Sequence, residues 1–395
     1  MLQCARLAEQ LVYEGSARYA NEMLSSRPLQ RKKARQYDSG GTALTVLAWP
    51  SRINAADNTY TSRLSDSLEA AGVVVVEFSI FRALLSSYDV LHVHWPEGVL
   101  KKGRGRLSGM ARVIAVVGVL LVVKFVRRRR VVWTVHNLRP HDLDRNAALA
   151  VLRVGLGLTV GGYVHLSGAS RSLLPTLVAR SSKYPQITIP HGRYSGEFIP
   201  SESRQSTRAR FSIRDSDQLV VFAGQVAPYK GVLDLARVVH ESTSDGLRLI
   251  IAGRCTDLDY AQEIKRIEAA DSRIEFTDER LDAIGLANVM QAADLVAFPY
   301  RSILNSGSVL PPLETNTRVL APSIGAIPEM SATVGEDWLM TYEQPLTLEK
   351  LEQGLAHRCS RWPARLDALE WPQIGNKTKA FYLTVLNYRG NRTIE

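Results

Sequence analysis

Lys230, in the run Ala-Pro-Tyr-Lys-Gly, opens a helix just after Gly224 and Gln225. A lysine beside the free N–H groups of a helix start favours an anion, because both charge and dipole are positive there. A second group lies between an apolar strand at 295–298 and a helix over 309–316 entered through Pro311 and Pro312. Ser306, Gly307 and Ser308 are small enough to let a diphosphate reach that helix start, and Glu314, further in, is placed to accept hydrogen bonds from sugar hydroxyls. The third group is histidines at strand ends: His92 and His94 in one run, His136, Asn137 and His141 in another. His92 and His94 alternate with apolar residues and so share one face of a sheet; His94, nearer the loop, is the site candidate and His92 the structural one. Each group also has a plainer reading, as a polar loop, a solvated helix lysine or hydrogen-bonded strand-end histidines.

The elements that must position these residues alternate between apolar strands and helices. That pattern predicts parallel sheets covered by helices on both faces, with ligands at the C-terminal ends of the strands. Residues 1–40 form an extension ending in a basic stretch. Residues 41–200 carry a first set of strands, and a polar segment at 201–210 marks the expected linker. Residues 201–371 repeat the pattern, and a helix over 372–395 follows a Pro break.

Composition narrows the class. At 395 residues, with 45% hydrophobic and 22% charged residues, the chain supports two globular domains. Cys4, Cys255 and Cys359 are scattered without metal spacing, which fits a reducing compartment, and no secretory pattern opens the sequence. The net charge of +10 is concentrated: residues 101–130 hold ten cations and no acid. No recognition motif for nucleic acid accompanies that patch, and no G-x-G-x-x-G follows the first strand, which disfavours a dinucleotide oxidoreductase. Histidines spaced His-x-His and His-x4-His without acidic partners make a poor zinc pattern.

The order of these motifs resembles the GT-B glycosyltransferases, in particular family 4 and the bacterial set that builds polysaccharides and glycolipids. The resemblance covers residues 43–388 and rests on NTYTSRLSDSLEAAGV, HVHWPE, WTVHNLRPHD, APYKG and PYRSILNSGS. It implies two Rossmann-like domains with parallel sheets facing across a cleft. The first would be an acceptor domain completed by the C-terminal helix, the second a nucleotide-sugar domain. It implies a nucleoside diphosphate sugar as donor, a lipid-linked or saccharide acceptor, and no metal or other cofactor. By the same resemblance His136 lies near the transferring sugar, and Lys230 neutralises the leaving diphosphate. Gly224, Gln225, Ser306, Gly307, Ser308 and Glu314 hold the donor, and Asn58, His94, Asn137 and His141 face the acceptor. Two positions depart from the pattern: Ser306 stands where the relatives have Glu, and Gln225 where they have Arg. These departures sustain a rival expectation, a non-catalytic assembly subunit of a polysaccharide-building complex. Retention at the anomeric carbon is the expected outcome; inversion would need a base such as Asp57, Glu97 or Asp142.

The eleven-residue apolar run 113–123, bracketed by Arg112 and Lys124, is too short to cross a bilayer. Its length and flanking cations suit a helix lying on an anionic leaflet, hence a cytoplasmic enzyme peripheral on the inner face of the membrane. The competing reading is a core helix with a charged end.

Overall fold

The computed structural model describes residues 43–55, 58–100, 106–137, 147–305, 307–359 and 363–388. The expected N-terminal extension lies outside them, as do Asp57, His141, Asp142 and Ser306. The chain divides into two compact units. One comprises the residues up to Leu166, Ser170–Pro190 and the chain from Trp371 on; the other comprises Ser167–Ala169 and His191–Glu370.

The first unit is built on a parallel sheet of β1 (Thr45–Trp49), β2 (Val74–Glu77), β3 (Val90–His94), β4 (Arg130–Val135), β5 (Gly162–His165) and β6 (Gln186–Thr188), in the order β2-β1-β3-β4-β5-β6. Every residue of β3 and β5 is buried, as expected of parallel strands covered on both faces. The chain leaves β1 in one direction and β3 in the other, so the crevice for a ligand opens between the loops that follow these two strands. The helix Trp371–Asn387 closes this unit from the far end of the sequence. A Cβ on its Gly375 would stand 2.1 Å from Ser67 Oγ in the helix Tyr60–Ala70, and one on Gly162 of β5 would stand 2.5 Å from Val385 Cγ2. Only glycine permits either approach.

The second unit repeats the plan with β7 (Gln218–Ala223), β8 (Leu247–Ala252), β9 (Ile274–Thr277), β10 (Leu295–Ala297), β11 (Val319–Pro322) and β12 (Leu339–Tyr342), in the order β12-β11-β10-β7-β8-β9. Its core is one cluster of fully buried aliphatics from all six strands, with Phe222, Phe298 and Trp338. Here the direction of winding reverses between β7 and β10.

Two expectations are corrected. The segment 201–210 is no linker: Ser203 caps the helix Arg204–Arg210, and that helix is anchored inside the second unit. Arg208, 3% exposed, donates to the carbonyls of Ala292 (3.1 Å), Arg214 (2.8 Å) and Asp217 (2.6 Å). A polar composition concealed a structural arginine, and the division falls at Pro190/His191 instead. The apolar run at 113–123 belongs to a longer helix, Arg106–Leu121, continued as a π-turn over Val122–Val126. Its window Gly109–Val126, 18 residues of mean hydropathy 2.3, is long and apolar enough to cross a membrane by length and composition. Of that window 22% is buried: Val113, Val116, Leu120 and Val123 form a stripe at helical spacing, and Val117 fills the space over Gly155 in the helix Ala147–Thr159.

Arg208→Met leaves three buried carbonyls without their donor. It is expected to cost about 3 kcal/mol, read as a lower urea midpoint with an unchanged slope.

Candidate active site

In the second unit the loops after β7 and β10 flank the point where the winding reverses, and they touch backbone to backbone. Gly224 ends β7 at φ +117°, with its N–H on Ala252 O (2.9 Å). The carbonyl of Gly224 packs so closely on Gly253 that a Cβ there would lie 2.0 Å from it. Gly231, at φ +68°, presses against the carbonyl of Pro299, again 2.0 Å from where a Cβ would stand. Arg301 N–H donates to Tyr229 O (2.9 Å), and the Arg301 guanidinium forks onto Asp234 at 2.7 and 2.6 Å. These contacts fix Lys230 in the short turn Pro228–Lys230, one residue before the helix Val232–Glu241. Lys230 is buried, with Nζ 5.9 Å from the centre of the Phe222 ring. Burial pushes its pKa down to about 8, and no neighbouring charge contributes. Gln225, by contrast, is exposed.

Gly307 and Ser308 form the turn Gly307–Val309 leading into the helix Leu310–Glu314. A Cβ on Gly307 would meet Tyr194 Oη at 2.8 Å and His191 Nε2 at 2.9 Å. His191 donates from Nδ1 to Gly192 O (2.7 Å), so Nε2 carries the lone pair toward Gly307. Burial holds its pKa at about 4, so the ring is neutral. Glu314 does not stand open for sugar hydroxyls as the sequence suggested. Its side chain is 4% exposed; it accepts the Tyr194 N–H at 2.5 Å and has Arg193 Nε at 3.8 Å. It ties the start of this unit to the helix that follows β10. His191, Arg193 and Tyr194 are thus neighbours of the loop that sequence reasoning missed; the only signal was their place in an unassigned polar turn. Glu329 accepts the Gly168 N–H at 2.6 Å, and Arg254 is exposed.

In the first unit the histidines do converge, at the C-terminal ends of β3 and β4. His94 Nδ1 lies 3.1 Å from His136 Nε2, and the His136 ring stacks on Trp95 at 4.1 Å. Tyr60 meets His136 edge-on at 4.9 Å. One step deeper, His92 bonds Tyr382 Oη through Nδ1 (2.6 Å) and Thr134 Oγ1 through Nε2 (2.7 Å), leaving no ring nitrogen for a ligand. Burial lowers the pKa of His92 to about 3; burial, then His92 and His136, hold that of His94 well below its usual value. Trp95 leaves β3 at φ +44°, a strained conformation for a bulky residue at the mouth of the crevice. Beside it Glu97 is buried, with the Asn137 amide 3.4 Å from its Oε1. Asn58 is exposed, but its side-chain oxygen accepts the Tyr60 N–H at 2.9 Å and so supports the helix start. Among the described residues no group of three His, Cys, Asp or Glu side chains is arranged to hold a metal ion.

Tyr382→Phe removes the partner of His92 Nδ1 and leaves a buried polar atom unmatched. The expected cost is about 1–3 kcal/mol, seen as a lower melting temperature.

Residues 217–353, which span β7 to the helix after β12, match the family described as Glycosyl transferases group 1. A GDP-mannose:glycolipid 4-beta-D-mannosyltransferase of Xanthomonas campestris pv. campestris is 29% identical over 354 residues, 89% of this chain and 95% of that one. A D-inositol 3-phosphate glycosyltransferase of Mycolicibacterium smegmatis is 26% identical over 316 residues, 71% of this chain and 66% of that one. Among solved structures, Anabaena HepE in complex with UDP and glucose superposes with a TM-score of 0.59 at 15% identity, covering 87% of this chain and 97% of that one. A glycosyltransferase involved in lipopolysaccharide biosynthesis superposes at 0.52 with 16% identity, over 87% of this chain and 98% of that one. The doubled parallel sheet is shared with these structures, and similarity to a mannosyltransferase runs through both halves: the chain is a glycosyltransferase of the GT-B fold.

Proposed function

We propose that the enzyme transfers a mannosyl group from GDP-mannose to a hydroxyl of a glycolipid, with inversion at the anomeric carbon. The observation that carries the donor reading is Lys230, a buried cation without a counter-charge, at the reversal point of the second sheet and before a helix start. The donor and acceptor classes are taken from the printed name of the Xanthomonas relative. That name specifies a 4-beta linkage, and the sugar of GDP-mannose is α-linked, so making such a product inverts the centre. On this ground inversion replaces the retention expected from the sequence. The non-catalytic subunit is not favoured, because Lys230 keeps its place before the helix Val232–Glu241 although Gln225 departs from the pattern.

In this reading the acceptor oxygen bonds to C1 as the C1–O bond to the diphosphate breaks, through an oxocarbenium-like transition state. GDP leaves with the bonding pair. Lys230, with the positive end of the helix that follows Gly231 and the turn at Gly307–Ser308, stabilises the negative charge that grows on it. The acceptor proton passes to a carboxylate of the first unit, and we assign it to Glu97, held beside Asn137. His136, fixed by His94 and Trp95, meets the reacting sugar; Asn137 and Asn58 complete the acceptor side. A glycolipid acceptor places the enzyme on the cytoplasmic face of the membrane as a peripheral protein.

The test is the product. Incubation with GDP-mannose and a lipid-linked saccharide is expected to give a β-mannoside by NMR; an α-mannoside overturns inversion. Glu97→Gln is expected to lower kcat by about 10²–10⁴ with the dissociation constant for GDP unchanged, and Lys230→Ala to weaken GDP binding itself.

A further inference from the structure

The first unit carries a second charged feature, at the opposite end of its sheet from His94 and His136. Asp89 precedes β3, Arg130 begins β4, and Leu386 ends the C-terminal helix. Together with Lys124, Arg128 and Arg129 they line a cavity of about 470 Å³. Four cations face one carboxylate, and that carboxylate already accepts the Thr45 N–H at 2.8 Å. The cations are held in place: Arg130 donates to Tyr388 O (2.9 Å), Arg129 lies over the Tyr88 ring, and Lys124 over the Tyr184 ring. Next to them Arg127 donates to Ser86 O (2.7 Å). The Nε atoms of Arg127 and Arg129 are buried without an acceptor among the described residues. Lys124 is pushed below its usual pKa by burial and by the neighbouring charge of Arg130.

The residues just before this cluster are apolar and outward-facing. Phe125 is 61% and Val126 71% exposed, at the end of a helix whose other face is locked onto the sheet. Ile114 on the same helix, and Val151, Val154 and Leu158 on the helix packed beside it, continue the exposed apolar surface. Apolar side chains beside a ring of cations complement the acyl boundary and the phosphates of an anionic leaflet.

We propose that the cavity lined by Lys124, Arg128, Arg129 and Arg130 is a binding site for the phosphate headgroup of an anionic phospholipid, with Phe125 and Val126 entering the bilayer surface beside it. The inference rests on the reading of the acceptor as a glycolipid, and it names where the enzyme holds the membrane that carries it. The site is separate from the catalytic crevice, so its occupant is a resident lipid and not the acceptor.

The test is co-sedimentation of the full chain with vesicles of phosphatidylcholine, with and without phosphatidylglycerol. Binding is expected only with phosphatidylglycerol and is expected to fall as salt rises. Arg128→Glu should weaken it about ten-fold or more, and Phe125→Ser several-fold. A GDP-induced rise in melting temperature, measured on each variant, reports that it is folded and that the donor site is intact; it also separates failure here from failure of the transferase reading. Equal binding to both vesicles, no binding to either, or no effect of Arg128→Glu overturns the proposal. So does stabilisation by inorganic phosphate without vesicle binding, which would make the ligand a free phosphate.

Discussion

The second unit is organised around a charge it does not itself neutralise. Lys230 is buried against Phe222 and meets no carboxylate among the described residues, and its pKa is driven down to about 8 by desolvation. A protein that placed this ammonium for stability would pair it, because an unpaired buried charge costs free energy. The surrounding backbone holds it there anyway. Gly231 exists because Pro299 O leaves no room for a side chain, and Gly224 and Gly253 meet in the same way. Both contacts join loops at or beside the point where the sheet changes its direction of winding, so the strand order that makes the crevice also makes the cation. In the proposed function the missing negative charge is the donor's diphosphate.

The first unit solves the opposite problem, with polarity buried and charge suppressed. His92, His94 and His136 are packed closely enough that protonating any one would strand a cation in the core. Burial keeps His92 and His94 neutral; Thr134 and Tyr382 orient His92, and His94 and His136 orient each other. In the proposed reaction, neutral His92 and His94 put no charge against the positively charged transition state of the sugar. The C-terminal helix supplies Tyr382, so the last stretch of the chain fixes rings near its beginning.

Much of this was legible in the sequence because it is local. Buried parallel strands read as short apolar runs, and a lysine after a Gly turn at a helix start reads as an anion site within ten residues. The two-residue period of a strand puts His92 and His94 on one face, with His92 the deeper, where both its ring nitrogens are bonded. What was not legible depends on partners far away. The Tyr194 N–H that occupies Glu314 is 120 residues distant, and Tyr382 is 290 from His92. The polar run at 201–210 looked like a linker because composition cannot distinguish a solvated arginine from one capping three carbonyls. The apolar helix was underestimated because Lys124 was taken as its end, whereas the helical backbone passes through it to Val126.

The measurement that bears most directly on this account is proton uptake when GDP binds, obtained by calorimetry at pH 8 in buffers of different ionisation enthalpy. If a diphosphate supplies the charge that Lys230 lacks, binding raises the lysine pKa from about 8, and the complex takes up about half a proton at that pH. Lys230→Met should bind more weakly and take up none. GDP binding without proton uptake, or the same uptake in the variant, would contradict the claim that Lys230 waits for the donor's diphosphate.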